Sequence, residues 1–177
     1  FFELVKTADI VVDSFRPGVL KKMNIDYEAA KQNNEKIIYV AVTGYGYSGA
    51  YKNKAGHDMN YLGYSGILGL TGDKDKPVIP ACQVADVAGG SYPAVVAVLA
   101  ALWARESTGK GQFVDVAMTD CVMPLLSMQF GESLNTNTKH KRGEPMLSGG
   151  MANYNLYKCK DEKWIALGSL EPKFWQG

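Results

Sequence analysis

Cysteine is scarce in this sequence, and the few cysteines lie far apart. The three residues are Cys82, Cys121 and Cys159, and no two of them have the C-x-x-C spacing. A disulfide scaffold or a structural zinc site needs more cysteines at closer spacing, so the pattern argues against both. It indicates a reducing compartment, which is the cytoplasm or, in a eukaryote, the matrix of a reducing organelle.

A strong net charge and long apolar runs are missing as well. The net charge is only +1, so no overall field attracts nucleic acid or a membrane surface. The longest apolar run, residues 94–104, is too short to cross a bilayer. We therefore expect neither nucleic acid nor a membrane as a partner. With 46% hydrophobic and 21% charged residues, the composition is typical of a globular domain.

The sequence also lacks an initiator methionine and a secretory signal. It begins within FFELVKTA, a helix-like segment, and it stops at FWQG. We therefore expect a fragment of a longer polypeptide. A chain of 177 residues is long enough for one domain with a sizeable core.

What the sequence does have is an alternation of strand and helix patterns. DIVVDSF, KIIYVAV and FVDVAM are short apolar runs typical of buried strands. Helices are predicted at YEAAKQNN with Asp26 as N-cap, at residues 57–70, at PAVVAVLAALWARES as a buried helix, and at residues 120–130. This order predicts an α/β, Rossmann-like layered fold with a mainly parallel sheet.

The last third of the chain has a different character. Residues 135–150 are polar and contain glycine, as in a linker, and NLYKC and KWIALGS flank KDE as in a β-hairpin. We therefore predict three parts: an α/β domain over residues 1–134, a linker over 135–150, and the start of a smaller second domain over 151–177.

Three polar residues fall where strands of an open α/β sheet end, the usual place of an active site. His57, in AGHDMNY, is either a packing residue in a loop or a general base, since histidine titrates near neutral pH. Asp86, in QVADVAGG, is either a helix N-cap or a catalytic carboxyl. Arg16, in SFRPG, forms either a surface salt bridge or a phosphate contact. The residues alone leave all three alternatives open.

Other familiar motifs are missing. The glycine loop TGYGYSG lacks the GK[ST] of a Walker sequence, and there is no G-x-S-x-G elbow or Cys–His constellation. The aspartates show no metal-ligand spacing, so we assign no metal. His140, the second histidine, lies in the charged run TKHKRGE and is read as structural. The residues alone therefore indicate an α/β protein with a candidate phosphate-binding site and no more specific function.

Six segments, in order and in register, resemble the family III CoA-transferase (CaiB/BaiF) superfamily. They are ADIVVDSFRPGVLKKMNIDYE, VTGYGYSGAY, AGHDMNYLGYSG, ADVAGG, ESTGKGQFVDVAMTD and LGSLEPKFW. The resemblance covers essentially the whole chain, and it is nearest to the α-methylacyl-CoA racemase branch. Because family chains are about twice this long, it also supports the expectation of a fragment.

The resemblance implies catalytic roles for His57 and Asp86. Racemase members have both residues, whereas transferase members commonly lack the histidine and use the aspartate as a nucleophile. The implied activity is inversion of the C2 centre of 2-methylacyl-CoA thioesters by two-base 1,1-proton transfer through an enolate. Two alternatives remain open: a CoA-transferase that passes through an aspartyl-acyl anhydride and an enzyme–CoA thioester, and a non-catalytic CoA-binding module.

The resemblance further implies which residues contact CoA and how the chain assembles. The implied CoA contacts are Ser14, Phe15, Arg16, Lys22, Gly56, His57, Asp58, Met59, Asn60 and Tyr61. Coenzyme A is part of the substrate, so no separate cofactor is expected. Family members form interlocked homodimers, and we expect the same assembly for the polypeptide that contains this chain.

Overall fold

The structure is a computed structural model that describes residues 1–176. Its α-helices are α1 (Phe2–Val5), α2 (Val19–Lys22), α3 (Tyr27–Asn33), α4 (Asp58–Ser65), α5 (Ile67–Leu70), α6 (Tyr92–Thr108), α7 (Met118–Val122), α8 (Ser127–Thr136) and α9 (Pro172–Trp175). Its strands are β1 (Ile10–Asp13), β2 (Ile38–Thr43), β3 (Gly72–Asp73), β4 (Lys76–Pro77), β5 (Phe113–Ala117), β6 (Tyr154–Lys158) and β7 (Trp164–Gly168). A π-helical segment (Ala85–Ser91) precedes α6, and 3₁₀ turns lie at Met123–Leu126 and Met146–Ser148.

The chain forms two compact units. The first contains residues 1–65 and 82–124, and the second contains residues 66–81 and the chain from residue 125 onward. The predicted domain limits at 134/135 and 150/151 stay predictions, because compact units need not coincide with functional domains. Gly177, the last residue of the predicted smaller domain, lies outside the described residues.

A parallel three-stranded sheet organises the first unit. The strand order is β1-β2-β5, with Val12 paired to Val40 and Val40 paired to Val114. Since β2 is central, it is buried on both faces, as its continuous apolar run predicts. Successive residues point to opposite faces, so Tyr39 packs with α1 and α3 while Ile38 packs against α6. The predicted α/β fold with a parallel sheet is therefore confirmed.

Helix α3 begins where the sequence predicts. The Asp26 carboxylate accepts a hydrogen bond from the Ala29 N–H at 3.2 Å, which confirms the predicted N-cap. At the other end, the Asn34 amide donates to the carbonyls of Val5 and Ala8, at 2.9 and 3.0 Å. Together these contacts fix the layer of helices on one face of the sheet.

Helix α6 covers the other face, but the prediction that it is buried all round is wrong. Ala101 is its only buried residue in the described chain. The apolar side chains of Val96, Leu99 and Trp103 are 66%, 60% and 84% exposed. One face of the helix packs on the sheet, and no described residue covers the opposite face.

The continuous helix that includes α6 is longer than its apolar run. Ala85–Thr108 comprises 24 residues, and in the described part of the chain it is the one helix long and apolar enough to cross a membrane. This is weak support for a membrane span, because the core helices of globular proteins meet the same criteria. The apolar run of residues 94–104 is shorter than this helix, because the helix also contains residues outside the uninterrupted apolar run.

Two predicted helices are interrupted. The predicted helix over residues 57–70 divides into α4 and α5, because Gly66 between them has a left-handed φ of +89°. The predicted helix over residues 120–130 instead begins at Met118 and passes through a 3₁₀ turn before α8. Pro124 lies in that turn and lacks the N–H that a continuous α-helix would need.

The second unit contains two antiparallel hairpins. Strands β6 and β7 pair with Leu156 opposite Ala166, so the predicted NLYKC–KWIALGS hairpin is present. The shorter pair, β3 and β4, forms the TGDKDKP loop. The partly buried His140 contacts the Gln129 carbonyl at 3.1 Å through Nε2, in agreement with the structural role read for this histidine.

Candidate active site

A cavity of about 650 Å³ opens in the first unit, where all three parallel strands end. Ser14 follows β1, Thr43 ends β2 and Met118 follows β5, and all three line the cavity. This is the edge at which open α/β sheets bind their ligands. The volume falls in the range of small-molecule sites.

The turn after β1 is fixed by the buried carboxylate of Asp13. This residue is 3% exposed, and it accepts hydrogen bonds from the Phe15 N–H at 2.6 Å and from the Tyr47 hydroxyl at 3.0 Å. Burial, the hydrogen bond to Asp13 and the Asp13 charge raise the pKa of Tyr47, so its hydroxyl remains a donor. The turn thereby holds Arg16 on the cavity wall.

The glycine loop, which here means the whole segment 44–56 after β2, leaves space for the ring of Tyr61. A Cβ at Gly44 would overlap that ring, and one at Gly56 would come within 2.8 Å of it. The Tyr61 hydroxyl donates to the Gly56 carbonyl at 2.6 Å, and Thr119 donates to the Gly44 carbonyl at 2.7 Å through its hydroxyl. These contacts join the loop to α4 and α7, and they explain two of the glycines in the loop.

His57 lies directly before the first residue of α4. Its N–H donates to the Asn60 side-chain oxygen at 3.0 Å, and its carbonyl accepts from the Asn60 N–H at 2.8 Å. The residue is exposed and lines the cavity. Within the described range its ring makes no hydrogen bond, so the structure gives no sign of the packing role that the sequence left open.

Asp86 reaches the same cavity from the π-helical segment. It is not the N-cap of this helix, because Val84 holds that position, so the capping alternative is wrong. The Asp86 N–H donates to Asp58 Oδ1 at 3.0 Å. Burial raises the pKa of the Asp86 carboxyl, the nearby Asp58 carboxylate raises it further, and the nearby His57 acts in the opposite direction.

Close packing of two glycines fixes the π-helical segment. A Cβ at Gly89 would overlap the Met118 carbonyl oxygen, and one at Gly90 would lie 3.1 Å from Met118 Cγ. The segment therefore lies against α7 with no side chain between the backbones. The sequence ADVAGG thus places the Asp86 carboxyl and the glycines that position it on one short helix.

Most of the predicted site residues line this cavity, and three do not. Those that line it are Ser14, Phe15, Arg16, Gly56, His57, Asn60, Tyr61 and Asp86. Lys22, at the end of α2, and Met59, which is 42% exposed, are absent from the wall, and Asp58 contacts Asp86 instead. The roles in catalysis and CoA binding remain predictions for all of them.

Sequence reasoning missed two lysines and a methionine on the cavity wall. Lys52 and Lys54 belong to the glycine loop, and Met118 follows β5. The Lys54 ammonium donates to the Tyr64 hydroxyl at 3.1 Å and lies 3.9 Å from the centre of the Tyr51 ring. The two cations in YKNKAGH, directly before His57, are the signal that could have identified them.

The charge of the wall favours an anionic ligand. Arg16, Lys52 and Lys54 are cationic, and Asp86 is the one carboxylate among the described lining residues. Guanidinium and ammonium groups bind phosphate through charge-assisted hydrogen bonds. Among residues 1–176, no group of three or more His, Cys, Asp or Glu side chains is arranged to hold a metal ion.

Comparison with known proteins gives consistent matches along the chain. The family model described as CoA-transferase family III matches residues 1–177. The α-methylacyl-CoA racemase of Homo sapiens is 34% identical over 174 residues, which cover 98% of this chain and 46% of the relative. The succinate–glutarate CoA-transferase of Agrobacterium fabrum is 39% identical over 127 residues, which cover 71% of this chain and 32% of the relative.

Solved structures agree with these matches. The crystal structure of a CaiB/BaiF family protein from Brucella suis has a TM-score of 0.83 and 35% identity, covering 93% of this chain and 43% of that one. The chain spans between about a third and a half of the length of these similar proteins.

Proposed function

Because the chain belongs to CoA-transferase family III, we propose that it carries the CoA-binding and acid/base residues of an acyl-CoA racemase or epimerase. The reaction is inversion at C2 of a 2-methylacyl-CoA thioester. The observation that supports it best is that His57 and Asp86, from separate helical elements, line one cavity. Inversion needs two acid/base groups around one carbon, and these two side chains provide them.

In the proposed reaction, the proton leaves one face of C2 and another is added to the opposite face. Neutral His57 accepts the C2 proton, the electron pair moves onto the thioester oxygen as an enolate, and protonated Asp86 delivers a proton to C2. The reverse direction exchanges the two roles. Burial and the Asp58 carboxylate raise the pKa of Asp86, which is the direction that a proton-donating carboxyl requires.

The cavity wall supports the remaining requirements. Backbone N–H groups at the start of α4 lie beside His57 and are suited to stabilise the enolate oxygen. Arg16, Lys52 and Lys54 would hold the phosphates of CoA. The substrate itself brings the CoA, so the proposal requires no separate cofactor.

A second candidate is a CoA-transferase in which Asp86 is the nucleophile. The accessible position of Asp86 on the cavity wall suits an attack on a thioester carbon, and one similar protein is named a CoA-transferase. That reaction would form an aspartyl-acyl anhydride, release CoA as a thiolate and then form an enzyme–CoA thioester.

The proposed assembly is an interlocked homodimer. Its support in the structure is the apolar face of α6, where Val96, Leu99 and Trp103 are exposed. Exposed apolar surface of this kind marks an interaction site more often than a free surface.

The two reactions predict different products from one mixture. The full-length protein is incubated with a (2R)-2-methylacyl-CoA in deuterated water, without an acceptor acid. We expect deuterium at C2 and loss of optical purity, measured by mass spectrometry and chiral chromatography. His57→Ala and Asp86→Asn should each slow exchange roughly a hundredfold or more, as removal of an acid/base group does.

The matched control is Asp75→Asn, a change at an exposed aspartate in the turn between β3 and β4. This variant should exchange deuterium at the wild-type rate. The racemase proposal is wrong if no exchange occurs while CoA transfer begins once a carboxylate is added.

A further inference from the structure

Asp58 lies beside the proposed reactive pair without lining the cavity. It is the first residue of α4, directly after His57, and is partly buried. Its Oδ1 accepts the Asp86 N–H at 3.0 Å, across 28 positions of sequence. A side chain of one helix therefore holds the backbone of another at the residue that carries a reactive carboxyl.

The hydrogen bond has a structural reason. The first N–H groups of a helix have no partner within it, and Asp86 lies in the first turn of the π-helical segment. The Asp58 carboxylate supplies an acceptor for one of them. A negative charge at this end of a helix is also favourable for the helix dipole.

The same geometry has an electrostatic effect. Because Oδ1 of Asp58 lies within hydrogen-bond distance of the Asp86 backbone, the two carboxyl groups are close in space. Two carboxylates that share a site oppose each other's ionisation. Asp58 accordingly acts with burial to raise the pKa of Asp86.

Several other titratable groups lie near Asp86 and can influence the ionisation of its carboxyl. His57, directly before α4, opposes the effect of Asp58, and the pKa of Tyr61 in α4 is itself raised in part by Asp86. The cavity wall adds further titratable groups from the β1 turn and the glycine loop: Arg16, Tyr45, Lys52 and Lys54. In the described chain, β2 and α7 contribute only Val42, Thr43 and Met118 to this wall, and α6 and β5 contribute nothing.

We propose that Asp58 is a positioning residue for Asp86, which it holds by a backbone hydrogen bond while placing a second negative charge beside the Asp86 carboxyl. This inference rests on the proposed proton transfer at C2. The family resemblance placed Asp58 among the residues that contact CoA, which is a different role. In the role inferred here, the Asp58 side chain touches neither the substrate nor the reacting proton, and it acts through Asp86.

Two substitutions separate the hydrogen bond from the charge. Asp58→Asn keeps an oxygen that can accept the Asp86 N–H but removes the charge, whereas Asp58→Ala removes both. For Asp58→Ala we expect kcat for C2 exchange to fall on the order of tenfold to a hundredfold, the loss typical of a hydrogen bond to a charged group, with KM within about twofold. For Asp58→Asn the limb of the pH–kcat profile that reports Asp86 should move to lower pH.

A titration that does not depend on activity completes the test. In full-length protein labelled with ¹³C at aspartate carboxyls, Asp86→Asn identifies the Asp86 resonance. That resonance should titrate at lower pH in Asp58→Asn than in the wild type, and Asp75→Asn should leave it unchanged.

The outcomes distinguish this inference from the proposed function. If the wild type shows no C2 exchange, the racemase proposal fails, and the carboxyl titration alone decides the role of Asp58. The inference is overturned if Asp86 titrates identically in the wild type and in Asp58→Asn. It is also overturned if C2 exchange occurs and Asp58→Ala keeps the wild-type kcat.

Discussion

The surroundings of Asp86 disfavour the ionised form of its carboxyl. Burial and the Asp58 carboxylate raise its pKa above the ordinary aspartate value. A carboxyl whose pKa is higher in the folded state binds its proton more tightly there than in the unfolded chain. Its contribution to stability is therefore fully present below the unfolded pKa and is lost as the pH rises through the folded pKa.

Asp86→Asn should therefore raise the free energy of unfolding at pH 7. The amide is neutral at every pH, so the repulsion from Asp58 disappears. Urea denaturation at several pH values measures the effect, and the advantage of the variant should shrink as the pH falls through the raised pKa of Asp86 and be lost below the ordinary aspartate pKa. A gain that stayed constant with pH would contradict this explanation, and Asp75→Asn should show no gain.

The local sequence predicted where single residues lie in the secondary structure better than it predicted which distant residues they contact. The N-cap at Asp26 follows from its place before a helix pattern, and its acceptor role is confirmed. The contact between Asp58 and Asp86 could not be predicted, because it joins elements 28 residues apart and depends on how α4 lies beside the π-helical segment. The two lysines that precede His57 were also missed, although their position in YKNKAGH was a local signal for them.

Among the elements, the π-helical segment is the one that most directly shapes the site. It brings Asp86 to the cavity and lies against α7 at Gly89 and Gly90. π-Helical turns are rare and are often found at functional sites. The absence of side chains at the two glycines is what allows the backbones to approach.

Gly89→Ala tests this packing. The new Cβ would overlap the carbonyl oxygen of Met118, a backbone atom that cannot turn aside, so we expect a loss of about 1–3 kcal/mol of stability, as in other overpacked cores. Gly131→Ala is the matched control, because Gly131 lies in α8 with no atom within 4 Å of an added Cβ. That change should be neutral or stabilise by up to about 1 kcal/mol.

Urea denaturation of both variants provides the measurement. Equal stability of Gly89→Ala and the wild type would show that the close approach of the π-helical segment to α7 is not required.

The strands were easier to predict than the helix ends. β1 and β2 are short apolar runs followed by a polar or glycine-containing turn, and β5 is a short, mostly apolar run that leads directly into α7. Burial of the central strand on both faces produces the continuous apolar run of β2. The predicted helix over residues 57–70 contained Gly63, Gly66 and Gly69, and only Gly66 takes a left-handed conformation. The choice among the three depends on tertiary packing, which periodicity does not report.

At the scale of the whole molecule, helix α6 has an apolar face that the described chain leaves exposed. A helix that is apolar on nearly every side indicates that every side is covered in the working protein. In the described chain, the sheet covers one face and leaves Val96, Leu99 and Trp103 exposed. The chain spans less than half of the racemase relative, so a cover from further sequence or from a second subunit is consistent with both observations.

Leu99→Glu in the full-length protein tests whether a second subunit provides that cover. Burying a leucine contributes about 1.5–3 kcal/mol, and a carboxylate in its place would have to lose its water. Since each subunit of a dimer carries the change, we expect the dissociation constant to rise roughly a hundredfold or more. Sedimentation velocity over a range of concentrations measures this shift, and circular dichroism checks that the variant is folded.

The control is Leu4→Glu, the same substitution at a 75% exposed leucine of α1, compared with 60% exposure at Leu99. We expect the dimer of Leu4→Glu to have the same dissociation constant as the wild-type dimer, because the proposed interface is the apolar face of α6. If Leu99→Glu folds and its dimer also has the wild-type dissociation constant, the second subunit does not cover α6. The apolar face would then belong to a contact within one polypeptide, and the proposed interlocked dimer would lose the structural observation that supports it.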